Sequence, residues 1–227
     1  MSKAKTYVPS EFKAFYDLFQ SVSRSHGKHY AFEDFLDLYI HAWCFNYPLN
    51  TELLQNRYTS EERQKFTLMM YEVIKILGEK IQDDSKWYDF FGTFYEFIGL
   101  SKQKNLSQFF TPMSVCDLMV QIAKSKTCKT FSDPCCGSGR FSLASNAISL
   151  GNFHFLVDLD FMCTKMAALN LMHHGIHGIV IADDSLYPKN NFKGAFVVNR
   201  TLLKTGVPQI EYINSAEQAY NYNNGFK

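Results

Sequence analysis

The stretch Phe131-Ser-Asp-Pro-Cys-Cys-Gly-Ser-Gly-Arg-Phe141 constrains this chain more than any other. A short β-prone run, Thr130-Phe131-Ser132, meets Asp133-Pro134. Gly137 and Gly139 then lead into a segment with Phe141, Leu143, Ala144, Ala147 and Ile148 on one side of a helix. The pattern predicts a strand, a glycine turn and a helix, a unit that lets the backbone approach a nucleotide-like ligand closely. Two glycines at this spacing also serve a tight turn that binds nothing. Ser142 stands where a dinucleotide fingerprint wants a third glycine or alanine, and no Gly-Lys-Ser/Thr follows to make a phosphate-cradling loop.

Beyond the turn the sequence alternates strand and helix, which predicts a parallel sheet with covering helices. Residues 153–157 read as a strand ending in Asp158-Leu159-Asp160. An acid about 20 residues past the turn, at a strand end, accepts hydrogen bonds from ribose hydroxyls in nucleoside-binding folds. Asp158 is the candidate and Asp160 the alternative, with helix capping as the other use of such an acid. Residues 166–175 read as a helix. Its histidines, His173 and His174, suit the last turn ahead of Gly175 as carbonyl caps, and with His177 they match no metal-ligand pattern, so no metal is expected. Strands at 178–182 and 194–198 run into Asp183-Asp184-Ser185-Leu186 and Asn199-Arg200-Thr201-Leu202.

Ahead of the turn, Thr111-Pro112 reads as a helix start, with Leu118, Met119, Ile122 and Ala123 as the apolar stripe of a helix reaching about Lys124. Residues 1–104 read as helices. Phe12, Phe15, Tyr16, Phe19 and Val22 share one face, and Phe32, Phe35, Leu36, Tyr39 and Trp43 another. Thr59 and Glu62 have capping-box spacing before Phe66, Met69, Met70, Val73 and Leu77, and a fourth helix carries Trp87, Phe90, Phe91, Phe94, Tyr95 and Ile98. Aromatic residues at helical spacing are core material before they are base-stacking platforms.

Composition excludes several classes. With 46% hydrophobic residues and 21 phenylalanines the chain has ample material for a core, and disorder is not expected. No apolar run approaches the roughly 18 residues of a membrane span, which makes a soluble, cytoplasmic protein the expectation. The six cysteines show neither paired nor zinc-ligand spacing and are read as free thiols, Cys135 and Cys136 being small residues that allow close packing in the turn. Net charge is +1, from 23 basic and 22 acidic residues, so the chain lacks the overall basic excess of an autonomous DNA binder.

The combination of Gln108-Phe-Phe-Thr-Pro112 with Asp133-Pro-Cys-Cys-Gly-Ser-Gly139 resembles the adenine-N6 DNA methyltransferases of restriction-modification systems, above all the modification subunits of type I systems. The resemblance runs from about Phe90 to Asn199 and takes in Asp89-Phe-Phe-Gly-Thr-Phe-Tyr-Glu96. It implies a Rossmann-like α/β sheet that binds S-adenosylmethionine, shortened after Leu202 and preceded by an all-α domain: residues 1–104 helical, 105–227 methyltransferase-like. It implies a cofactor site made of Phe110, Thr111, Pro112, Asp133, Pro134, Cys135, Gly137, Ser138 and Gly139, with Asp158 on the ribose and Asp184 and Ser185 at the adenine. The family's Asn-Pro-Pro-aromatic motif, which accepts the hydrogens of the target amine and stacks on the flipped base, is here Asn199-Arg200-Thr201-Leu202. Asn199 is therefore the catalytic candidate, without the two prolines and the ring. Two main functions follow, an adenine-N6 DNA methyltransferase or modification subunit, or an inactive cofactor-binding partner or regulatory module, with small-molecule or RNA methylation as a third reading. DNA, a target-recognition chain and a homo- or hetero-oligomer are the expected partners.

Overall fold

The computed structural model describes residues 7–82, 86–102, 109–123 and 129–222. The expected connector 102–104, the 104/105 boundary, residues 105–108, Cys128, and the tail beyond Tyr222 fall wholly or partly outside them. Helices α1 (Lys13–His26), α2 (Lys28–Trp43), α3 (Thr51–Arg57), α4 (Ser60–Lys80) and α5 (Phe90–Phe97) come first, and α6 (Met113–Ala123) leads into the sheet. There follow β1 (Thr130–Asp133), α7 (Arg140–Ile148), β2 (Phe153–Asp158), α8 (Phe161–His173), β3 (Gly178–Ala182), β4 (Gly194–Val198), α9 (Leu202–Thr205), β5 (Ile210–Ile213) and α10 (Ala216–Asn221). No described helix is long and apolar enough to cross a membrane.

The helical faces read from periodicity are the buried ones: Phe12, Phe15, Phe19, Val22, Phe32, Phe35 and Leu36 are fully enclosed. Phe94 is their hub, with ring centroids 4.6 Å from Phe15, 5.2 Å from Phe19 and 5.6 Å from Phe12. Edge-to-face pairs of this kind add about 0.5–1.5 kcal/mol each beyond the area they bury. Thr59 and Glu62 form the expected capping box at the start of α4. Asn50 caps α3, a helix that periodicity alone did not reveal, by accepting from Leu53 N. The aromatic core continues without a break into Leu156, Val180, Phe196 and Val198 on one face of the sheet, with α8 packed between, so the helices and the sheet share one interior.

The sheet order is β1-β2-β3-β4-β5. Strands β1, β2 and β3 are parallel, but β4 is antiparallel to β3 and β5 to β4, so the sheet is mixed where an all-parallel one was expected. Connection length explains the difference. A parallel return needs a crossover of about a dozen residues, usually a helix, whereas the loop 183–193 holds none. The outer edge of β5 is covered at Tyr212, whose backbone N–H and carbonyl both bond the Asn46 carboxamide.

The stripe expected to bury α6 does not. Leu118, Met119 and Ile122 are exposed, while Cys116 and Val120 are enclosed against Ala144. The helix packs mainly on α7, which covers only the Cys116–Val120 side.

Candidate functional site

The glycine turn stands where β1 ends. Cys136 N donates to Val157 O (2.9 Å), tying the turn to β2, and Gly139 N donates to Cys136 O (2.8 Å), closing it. Gly137 has φ 54° and Gly139 has φ 89°, left-handed values that suit glycine. At Gly137 there is a second reason: a Cβ would sit 2.9 Å from the Phe110 ring, closer than carbon atoms tolerate.

Because β1 and β2 are parallel and in register, Asp133 and Asp158 stand at the same edge of the sheet. Asp133 Oδ1 accepts from Cys135 N (3.1 Å). Asp158 accepts from Gly137 N (2.8 Å) through one oxygen and from Asp160 N (2.9 Å) through the other. Burial raises both carboxyls above their ordinary range, and the backbone N–H bonds only partly offset it. Burial likewise pushes the Cys116 thiol up to about 11 and Cys136 well above its usual value, so these thiols stay protonated.

A cavity of about 470 Å³ opens between the turn and the 109–111 segment. Of the residues singled out in the sequence, Phe110, Thr111, Asp133, Cys135, Gly137, Ser138 and Asp158 line it. Pro134 and Gly139 belong to the turn and Pro112 directly precedes α6, and none of the three is in the cavity lining. Asp160 lines it too, and its carboxylate caps α8 by accepting from Met162 N. Three carboxylates thus face a space in whose lining, among the described residues, Arg140 is the one cation.

Asp184 and Ser185 lie at the neighbouring strand end, off the cavity wall. Asp183 N donates to Asp158 O (3.0 Å), and the Asp184 carboxylate caps its own turn by accepting from Leu186 N (2.9 Å). Asp183 is fully buried. Its carboxylate accepts from Asp184 N, Lys189 N, Asn191 N and the Tyr220 hydroxyl, and so shapes the whole loop.

Asn199 is not brought to this cavity. The antiparallel course of β4 sets Val198 opposite Gly178, at the start of β3, so Asn199 lies at the far edge of the sheet from the glycine turn. Its side chain is buried beneath α8, where Nδ2 donates to Leu171 O (3.1 Å), Met172 O (3.1 Å) and Ile176 O (3.2 Å). The expectation that Asn199 meets a target amine beside the cofactor has no counterpart in this geometry; the side chain caps a helix C-terminus. The neighbouring histidines are equally committed. His174 donates through Nδ1 to Asn170 O (2.7 Å) and accepts from Tyr88 N, His173 pairs with the Tyr39 hydroxyl (2.9 Å), and burial lowers them to about 4 and about 3 respectively, neutral imidazoles at physiological pH.

A buried polar lattice behind the turn joins Ser138 to three residues to which sequence reading gave no role, Asp89, Arg140 and Asn170. Asp89, fully enclosed at the N-terminus of α5, accepts from Gly92 N (2.8 Å), Ser138 Oγ (2.6 Å), Arg140 Nε (2.7 Å) and Asn170 Nδ2 (2.7 Å). Asn170 also donates to Ser138 O (2.8 Å). Any side chain at Gly92 would overlap Asp89 and Ser138. The signal was an isolated acid inside an aromatic run and an arginine at the start of the helix that follows the glycine turn.

A family model described as N-6 DNA Methylase matches residues 86–202, from just ahead of Asp89 to just past Asn199. No curated protein and no solved structure matches the chain.

Proposed function

The chain belongs to the N-6 DNA methylase family, and we propose that it binds S-adenosylmethionine in the cavity beside Gly137 but does not by itself carry methyl to adenine, serving instead as the cofactor-holding partner of a chain that presents the base. The observation that carries this reading is the separation of Asn199 from the glycine turn, at opposite edges of the sheet.

The residues present fit the cofactor. The cavity volume falls in the roughly 300–1,000 Å³ range of small-molecule sites, and glycine at 137 lets the Phe110 ring close against the turn as part of the cavity wall. S-adenosylmethionine supplies a methyl group on a sulfonium cation, together with an ammonium group. Asp133, Asp158 and Asp160 give the wall the opposite sign. Asp158 has spare lone pairs for ribose hydroxyls while it holds Gly137 N, since a carboxylate accepts about four hydrogen bonds. Asp184 and Ser185, one strand further along the same edge, are assigned to the adenine end. The near-neutral net charge leaves DNA binding and sequence choice to a partner chain, in keeping with a modification-subunit role.

Titration calorimetry is expected to show saturable S-adenosylmethionine binding, weakened by about 1–3 kcal/mol in Asp158→Ala. A methyl-transfer assay on mixed genomic DNA is expected to give no methylated adenine from this chain alone. Absence of binding at millimolar cofactor would remove the cofactor reading. Robust adenine methylation by the isolated chain would establish the active enzyme in its place.

The affinity carries a pH signature. Asp133 and Asp158 have raised pKa values without ligand, and a cationic ligand favours their ionised forms, so binding is present above those values and fades as pH falls through them. The loss is expected to begin above the ordinary carboxylate range of about 4. Affinity that stays flat down to that range would show that these carboxylates do not face the ligand's cationic groups.

A further inference from the structure

We propose that Arg140 is a positioning residue for the cofactor cavity: with Glu96 it clamps the 110–112 segment against the glycine turn and fixes the wall on which the ligand rests. The inference rests on the cofactor reading above for the identity of the ligand, but not for the clamp itself.

Arg140 is 6% exposed and uses every arm of its guanidinium. Nε donates to Asp89 (2.7 Å), Nη2 to Glu96 Oε2 (2.8 Å) and more distantly to Thr93 Oγ1 (3.4 Å), and Nη1 to the Thr111 carbonyl (3.2 Å). Its Cζ lies 5.3 Å from the centre of the Phe110 ring, a cation–π contact. The other Glu96 oxygen accepts from Phe110 N (3.3 Å), so one carboxylate holds both the arginine and the backbone of the wall. The Phe110 ring, gripped in this way, is the surface that faces Gly137.

Such a clamp needs arginine. A planar fork of five donors reaches Asp89, Glu96 and Thr111 at once, whereas a lysine ammonium serves one or two of them. Two carboxylates also consume its charge, so the wall is held without placing an unpaired cation beside a cationic ligand.

The test compares the unmodified protein with Arg140→Lys and Glu96→Gln, using amide hydrogen exchange without ligand, S-adenosylmethionine titration and thermal unfolding. Lysine keeps a positive charge beside Asp89, and Glu96→Gln leaves the buried Arg140–Asp89 pair intact, so the latter carries the test if the lysine variant folds poorly. Both variants are expected to speed exchange at Phe110 and over 113–116 by about tenfold or more while amides of β2 and β3 are unchanged. S-adenosylmethionine binding is expected to weaken about tenfold, with little change in the melting midpoint of Glu96→Gln. If the unmodified protein binds no S-adenosylmethionine, the cofactor reading fails alone and the exchange pattern decides the clamp. Unchanged exchange at Phe110 and 113–116, or acceleration spread evenly over the sheet, overturns the proposal.

Discussion

Replacing Asp89 with alanine is expected to cost about 3–5 kcal/mol of stability, the usual effect of stranding one partner of a buried ion pair. The substitution removes the acceptor for four donors at once: Gly92 N, Ser138 Oγ, Arg140 Nε and Asn170 Nδ2. Arg140 keeps Glu96, which is partly exposed, but loses its fully buried counter-charge. For a chain of this length each kcal/mol corresponds to about 2–4 °C, so the melting midpoint should fall by on the order of 10 °C. Asp89→Asn should lie between, since an amide oxygen at the Oδ1 position still accepts from Gly92 N and Asn170 Nδ2, while the charge and the acceptor for Ser138 and Arg140 are lost. Thermal and urea unfolding of the three proteins checks the ranking. A loss below about 1 kcal/mol in Asp89→Ala would show that water reaches Arg140 and that the lattice is not a closed one.

The Asp89 lattice also marks where sequence reading stops. Helices α1, α2, α4 and α5 were legible because burying Phe15, Phe32, Phe66 or Phe94 forces a 3.6-residue apolar repeat, and the Thr59–Glu62 capping box is a purely local device. The glycine turn was legible for the same reason, since Gly137 and Gly139 answer backbone requirements confined to a few residues. The Arg140–Asp89 pair joins positions 51 residues apart and leaves no local pattern. Strand direction is likewise a property of the connection. The run 194–198 is equally strand-like in either orientation, and only the helix-free loop 183–193 indicates the antiparallel return. The α6 stripe misled because amphipathic spacing tells which face is apolar, not whether this chain covers it: Leu118 and Ile122 are exposed.

The antiparallel return also fixes what Asn199 does, and Asn199→Ala tests it. The buried amide donates to the Leu171 and Met172 carbonyls in the last turn of α8 and to the Ile176 carbonyl just beyond it, and its oxygen accepts from Gln209 N (3.3 Å). The backbone has φ 56°, a left-handed value that asparagine adopts more readily than alanine. Alanine therefore loses the donor and is strained as well, and the expected cost is about 2–4 kcal/mol. Glycine relieves the strain but not the lost bonds and should recover about 1 kcal/mol of it. Aspartate keeps the shape yet turns an acceptor toward three carbonyls, and is expected to be no better than alanine. S-adenosylmethionine affinity should survive all three substitutions at temperatures where the variants remain folded, because the glycine turn lies at the other edge of the sheet. A variant of native stability that lost only methyl transfer would reverse the assignment, giving Asn199 back to the chemistry and requiring the β4 strand to reach the cofactor by a route different from the one described.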